Sequence, residues 1–247
     1  MRKCNIRLLA FIILAVIFFV ACKKTEQLTF AAISDYAPLV PGKYITYQLD
    51  SLIFADNVIP YNRVYSYQVK QLVMDTVTDN LGRKGFSIRR YIRKTAAEAW
   101  VPDNTFFALN TGKTYEFIEN NLRYLKLTEP LVKGGTWKGN SFIDTRSSNT
   151  NFQYLDNWDY TYDSLNTHLA LGNINLDSTL KVAESDYSDG YFTDTTFHTT
   201  TYSSSNYCKG IGLVYHRFFH EEYQPPTPGT KSYSVGYGVT FTMIDHN

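Results

Sequence analysis

Val235-Gly236-Tyr237-Gly238-Val239-Thr240-Phe241-Thr242-Met243 is the stretch that decides the fold. Val235, Tyr237, Val239, Phe241 and Met243 recur with period two, and only an extended strand puts all five on one side. Gly236, Gly238, Thr240 and Thr242 then share the other face, where the two glycines predict a close approach by another segment or a bend. From Pro38 onward no helix-period stretch longer than about two turns interrupts such alternation. Turn residues mark the neighbouring strands. Asp79-Asn80-Leu81-Gly82 separates a strand over 64–77 from one over 84–94, and Asn110-Thr111-Gly112-Lys113 separates 105–109 from 114–119. Asn120-Asn121 separates that last strand from 122–128, and its length predicts a two-residue hairpin turn with positive φ. Further strands are expected over 43–54, 137–145, 154–163, 175–184, 191–202 and 211–223, with a helical turn within 162–171. Ser185–Asn206, dense in Ser, Thr and Asp, reads as a long exposed hairpin. About eleven antiparallel strands in a single domain, 38–247, predict an all-β barrel, curved half-barrel or sandwich.

The opposite end of the chain reads differently. Arg2, Lys3 and Arg7 precede an unbroken apolar run over 8–20, too short to span a bilayer, and Ala21 follows. This is the layout of an export signal. Phe19-Val20-Ala21-Cys22 resembles the lipobox of bacterial lipoproteins. That resemblance implies removal of residues 1–21, lipidation of Cys22, and a tether over 22–37. Two or more acyl chains on Cys22 would hold the protein stably on a membrane. Lys23 stands where enteric-type sorting places the Asp of inner-membrane retention, so the outer membrane is expected, with its face left open. The 247-residue chain has 24 basic and 23 acidic side chains; without the signal, 21 and 23 remain, a net charge of −2. That balance argues against a strongly basic nucleic-acid binder, and the apolar pattern against a multi-span membrane protein. Cys4 leaves with the signal. Cys208 then has no intramolecular disulfide partner and is expected to pack as a small buried hydrophobe near a strand start.

Pro38-Leu39-Val40-Pro41-Gly42-Lys43-Tyr44 recurs as Pro130-Leu131-Val132-Lys133-Gly134-Gly135-Thr136-Trp137. Either each copy turns the chain through a glycine corner and drops an aromatic into the core, or the match is chance turn chemistry. Pro38–Tyr47, Trp137–Ser141, Lys209–Tyr215 and the ending Thr242-Met243-Ile244-Asp245-His246-Asn247 resemble a family of uncharacterised Bacteroidota lipoproteins with no assigned activity. A looser similarity is to envelope lipoproteins with curved half-barrel sheets. These resemblances imply a location and a fold, and carry over no functional residue.

Chemistry-bearing residues are sparse. His216 and His220, with Glu221 and Glu222, would suit a metal on a helix, but Gly210–Tyr215 opens a strand. In a strand the two histidines share a face about 13 Å apart, too far for one ion with bonds near 2 Å. A solvated strand face and no metal site are expected. Asp245 and His246 would point to opposite faces, and no nucleophile elbow, phosphate loop or nucleotide fingerprint occurs. No catalytic residue and no cofactor are therefore assigned. Candidate ligand contacts are Tyr154, Trp158, Tyr160 and Tyr162, read as one aromatic strand face that stacks on sugar rings or fills a core. Arg89 and Arg93 join them, on a cationic face with Tyr91 opposite Phe86, Ile88 and Ile92. That face could meet anionic lipid or glycan phosphate, or protect a sheet edge. The expected role is a binding module for a lipid, glycan or envelope protein; an assembly accessory and a motif-less hydrolase are the alternatives.

Overall fold

The structure is a computed structural model in which residues 31–54, 62–147, 151–191, 193 and 195–247 are described. The signal segment 1–21, Cys22 and the first part of the tether lie outside the described residues. Twelve strands make one sheet: β1 Tyr44–Phe54, β2 Asn62–Thr78, β3 Lys84–Arg93, β4 Val101–Asn110, β5 Thr114–Glu119 and β6 Leu122–Thr128, then β7 Thr136–Lys138, β8 Asp159–Leu171, β9 Ile174–Gly190, β10 His198–Cys208, β11 Gly212–Gln224 and β12 Tyr233–His246. Their order is β6-β5-β4-β3-β2-β1-β12-β11-β10-β9-β8-β7, antiparallel throughout. The hairpin at Asn120 and Asn121 has φ of 50° and 64°, as its length required.

The sheet curls until β6 and β7 face each other, giving a nearly closed barrel. That last junction has little strand pairing and is held by individual bonds. Leu125 N–H donates to the Gly139 carbonyl at 2.8 Å, and the Trp137 indole N–H donates to the Leu125 carbonyl at 2.8 Å. The Tyr162 hydroxyl accepts from Thr128 N–H at 2.9 Å and donates to the Thr128 carbonyl at 2.7 Å. Side chains thereby satisfy backbone groups that an open edge would leave unpaired. Tyr162→Phe should cost about 1–2 kcal/mol in urea-unfolding free energy, because both bonds go while the ring stays.

The short helix α1, Ile33–Tyr36, plugs one end of the barrel. Ile33 is 1 % and Tyr36 3 % exposed, among Leu127, Tyr160, Tyr162, Leu180, Val182 and Tyr207. The folded domain thus takes in residues that the sequence assigned to the tether. A continuous apolar cluster, rather than the proline-glycine corner, sets this boundary.

The sequence echo is a structural repeat. In each copy the Val N–H bonds to the Pro carbonyl (3.1 Å at Val40, 2.9 Å at Val132), and the residue after the first glycine bonds back to the Val carbonyl at 3.0 Å. Gly42 and Gly134 both have positive φ, 86° and 80°. Each donates to the second strand that follows it, Gly42 to the Val73 carbonyl in β2 at 2.9 Å and Gly134 to the Tyr162 carbonyl in β8 at 2.8 Å. The barrel is therefore two six-strand meanders, β1–β6 and β7–β12, opening on the same corner. Only the second copy delivers its aromatic inward: the Trp137 ring lies 4.6 Å from that of Tyr162. Tyr44 faces out, with its hydroxyl 3.1 Å from Asp245.

Elsewhere β7 stops at Lys138, where Gly139-Asn140 turns the chain, so 139–145 is a loop and not a strand. Residues 153–155 form a single 3-10 turn and β8 begins only at Asp159. The expected helical turn within 162–171 is strand, because pairing with β9 overrides weak local preference. Gly236 explains its place in β12: its φ is 129°, and a Cβ there would run into the His220 carbonyl. Gly236→Ala should cost about 2 kcal/mol in thermal or urea unfolding. The barrel's outward face carries Asp50, Lys70, Arg93, Asp163, Lys181 and Arg217. A lysine or arginine on a lipid-facing wall costs roughly 2–4 kcal/mol at mid-bilayer, so this wall is built for water. No described helix is long and apolar enough to cross a membrane.

Candidate functional site: the barrel lumen

Strand parity decides what enters the lumen. Pairing puts Leu49 opposite Phe241, Phe241 opposite His216, His216 opposite Ser205 and Ser205 opposite Val182, so these residues share the inner face. Above them lies a chamber of about 480 Å³. Its walls are Leu49, Leu122, Tyr124, Tyr160, Phe218, Val239 and Phe241, and its roof is Phe152, Tyr154, Leu155 and Trp158. Arg90, Glu119, Lys126, Glu184, Ser203 and His216 supply the polar part.

The roof is fastened by aromatic contacts. The Tyr154 ring stacks on His220 at 4.4 Å, its hydroxyl lies 3.2 Å from that of Tyr237, and the Trp158 indole N–H donates to the Tyr154 carbonyl at 2.7 Å. Trp158 stacks against Phe218 with centroids 6.4 Å apart. Asn140 ties roof to wall: its amide donates to the Leu155 carbonyl at 2.9 Å and accepts from the Tyr160 hydroxyl at 3.1 Å.

Glu184, 1 % exposed, anchors the polar network. It accepts from Ser203 Oγ at 2.5 Å, Ser205 Oγ at 2.7 Å and Lys126 Nζ at 3.3 Å. Ser205 has one hydroxyl proton and gives it to Glu184, so its oxygen accepts from His216 Nδ1 at 3.0 Å. This leaves His216 Nε2 as an acceptor. Burial alone would raise the Glu184 carboxyl, but the Lys126 ammonium, His216 and the two serines outweigh it and hold the pKa below the usual range. Burial pushes His216 down to about 4.

The signs give one pH window for each group. The unfolded chain protonates His216 near 6.5 and the folded one near 4, so stability present above pH 6.5 is lost as pH falls toward 4. Glu184 adds a further loss at lower pH, from about its unfolded value of 4.3 down through its depressed folded pKa. His216→Gln should flatten the urea midpoint between pH 6.5 and 4 by the equivalent of about 1–3 kcal/mol, and leave the more acidic limb in place.

Contacts run carboxylate–serine–imidazole. An acyl-transfer triad runs serine–imidazole–carboxylate, with the acid orienting the base. The order found here fixes a proton arrangement and does not prepare a nucleophile.

Of the sequence candidates, Tyr154, Trp158 and Tyr160 meet at the chamber, though not as one strand face: only Tyr160 and Tyr162 sit together on β8. Tyr162 serves the β6–β7 junction. Arg89 is exposed on the outer face, and Arg93 bonds to Gln68 at 2.9 Å and stacks 4.1 Å over Trp100. Neither lines the chamber, and β3 lies between β2 and β4, so it protects no edge. The basic residue of β3 that does enter is Arg90. Its parity gave the signal, since it falls in the apolar series Phe86, Ile88, Ile92. His216 and His220 do share a strand face, but that face is the lumen and not the solvated surface expected. His220 is 7 % exposed and its Nδ1 lies 2.8 Å from Thr201 Oγ1. No cluster of three metal-ligating side chains occurs among the described residues. Ser203, Ser204 and Ser205 are buried, contrary to the exposed hairpin their composition suggested. Cys208 is buried, at the end of β10. No protein-family model and no curated protein sequence matches the chain.

Proposed function

We propose that this chain is an outer-membrane lipoprotein whose barrel holds a small amphipathic molecule in its lumen. The supporting observation is the 480 Å³ chamber, apolar and aromatic on its walls and polar at one side. That size and mixture suit a ligand of drug-like dimensions, with the apolar wall supplying affinity and the few polar groups orientation. The Glu184 network favours the same reading, since a saturated buried network keeps a cavity's shape without collapsing into it.

Native mass spectrometry of the purified full-length protein, released from detergent, tests the proposal. A bound species is expected, and Val239→Trp should abolish it by filling the chamber. A wild-type protein that emerges ligand-free and takes up no amphiphile from a panel would refute it. The anchor is tested separately: Cys22→Ser should move the protein from the membrane fraction to the soluble one.

The accessory reading keeps one observation of its own. Tyr187, Tyr191, Phe197, Tyr233 and Val235 are each at least 40 % exposed, on the β9–β10 and β11–β12 hairpins. Exposed aromatic and aliphatic side chains on two adjacent hairpins suit contact with a partner.

A further inference from the structure

Two cavities meet inside the barrel. The 480 Å³ chamber and a smaller pocket of about 90 Å³ share Arg90, Glu119, Lys126, His216 and Phe241 in their linings, so polar groups gather at the junction. Both cations there already have carboxylates: Arg90 Nε donates to Asp103 at 2.5 Å, and Lys126 Nζ donates to Glu184 at 3.3 Å. The groups left over are acceptors. Glu119 follows Tyr115 and Phe117 on the inner face of β5. Its carboxylate accepts no hydrogen bond among the described residues, and Arg90 Nη1 stands 3.9 Å away, beyond bonding distance. His216 donates through Nδ1 to Ser205 and burial keeps the ring neutral, which leaves a lone pair on Nε2 with no donor among the described residues. No fully buried side-chain nitrogen or oxygen among the described residues lacks a partner. Both unbonded acceptors therefore open on the cavities they line rather than on packed protein.

Resting on the chamber's reading as a ligand site, we propose that its ligand is a neutral amphiphile with a hydroxyl head. The head lies at the junction, where its O–H donates to Glu119 or His216 Nε2 and its oxygen accepts a spare ammonium hydrogen of Lys126. The tail runs along Leu49, Leu122, Phe218, Val239 and Phe241. A carboxylate head would bring only lone pairs to unbonded acceptors, beside Asp103, Glu119 and Glu184. An ammonium head would bring donors, but it has no lone pair for Lys126 and would set a third cation beside Arg90 and Lys126. An ether accepts and cannot donate. A hydroxyl does both without adding charge. Acceptors desolvated by a tail and left unpaired cost affinity, so the site should reject an analogue of the same shape that lacks the proton.

Titration calorimetry on the full-length protein in phosphatidylcholine nanodiscs, with empty discs as the blank, tests this. The probes are 1-octanol, its methyl ether, octanoate and octylammonium. Octanol should bind at least about tenfold tighter than each of the other three. Glu119→Leu and His216→Phe should each weaken octanol severalfold and narrow its lead over the ether, while unchanged ether binding shows that the chamber is intact. The comparison of probes on the wild type needs neither variant to fold. Equal binding of octanol and its ether, or preference for octanoate or octylammonium, would overturn the hydroxyl assignment and leave the lumen reading standing. Binding of none of the four would count against both.

Discussion

Lys126→Met should lower the unfolding free energy by about 3–5 kcal/mol, the range for removing one member of a buried ion pair. Glu184 would remain at 1 % exposure with only two serine hydroxyls as donors. Its burial, no longer opposed by the ammonium, would then drive the carboxyl to hold a proton at higher pH. Two signatures separate this from simple loss of packing. The defect should shrink as pH is lowered, because protonating Glu184 relieves the uncompensated charge. Adding Glu184→Gln should restore most of the stability, since a neutral amide keeps hydrogen bonds without a charge to bury. Equal defects at pH 7 and pH 4.5 would mean that the pair is not the cause. Urea unfolding of the wild type and the two variants at both values decides the matter.

Gly139→Val should cost about 3 kcal/mol, seen as a melting temperature lower by roughly 6–12 °C for a domain of this size. Any Cβ at Gly139 lies within the Tyr160 ring, and Tyr160 is fully buried. The same residue's carbonyl accepts the Leu125 N–H across the β6–β7 junction, and the next residue ties Tyr160 to the roof. One substitution thus disturbs the wall, the junction and the roof together. In a Tyr160→Leu background the penalty should fall well below the single-mutant cost, because the clashing ring is gone. Additive costs would place the strain elsewhere.

How much of this was legible depends on the kind of signal each residue carries. Period two and turn chemistry located β2, β3, β5 and β6 to within two residues, because Asn and Gly cluster where those hairpins turn, whereas β4 begins at Val101, four residues before its expected start. The same reasoning failed across 139–158. There Tyr154 and Trp158 stand in an irregular roof whose shape is set by Asn140 and by stacking on His220, partners that lie far away in sequence or depend on closure. The lumen was hidden for a related reason. A serine run such as Ser203-Ser204-Ser205 looks solvent-facing until strand register brings His216 opposite Ser205 and a bulge in β9 places Glu184 between the partners of Ser203 and Ser204. Alternation told which residues share a face, as it did for His216 and His220. It could not say whether a face looks at water or at the inside of a barrel. The Pro-Leu-Val corner was visible as an echo, and only its matching hydrogen bonds show that it begins each half.

The pairing of β1 with β12 sets the chain's folding problem. Each of the other ten strand pairings joins neighbours along the sequence, so either six-strand meander can zip locally. The β1–β12 contact instead brings residues such as Tyr47 and Met243 together across nearly the whole domain. Closing so large a loop is entropically slow, although its cost grows only logarithmically with length. With that closure as the slow step, truncations at this contact, Met243→Ala for example, should slow refolding, and so should substitutions in hairpins that have zipped before it. Two quick zippers and one late clasp would then describe how the barrel is made.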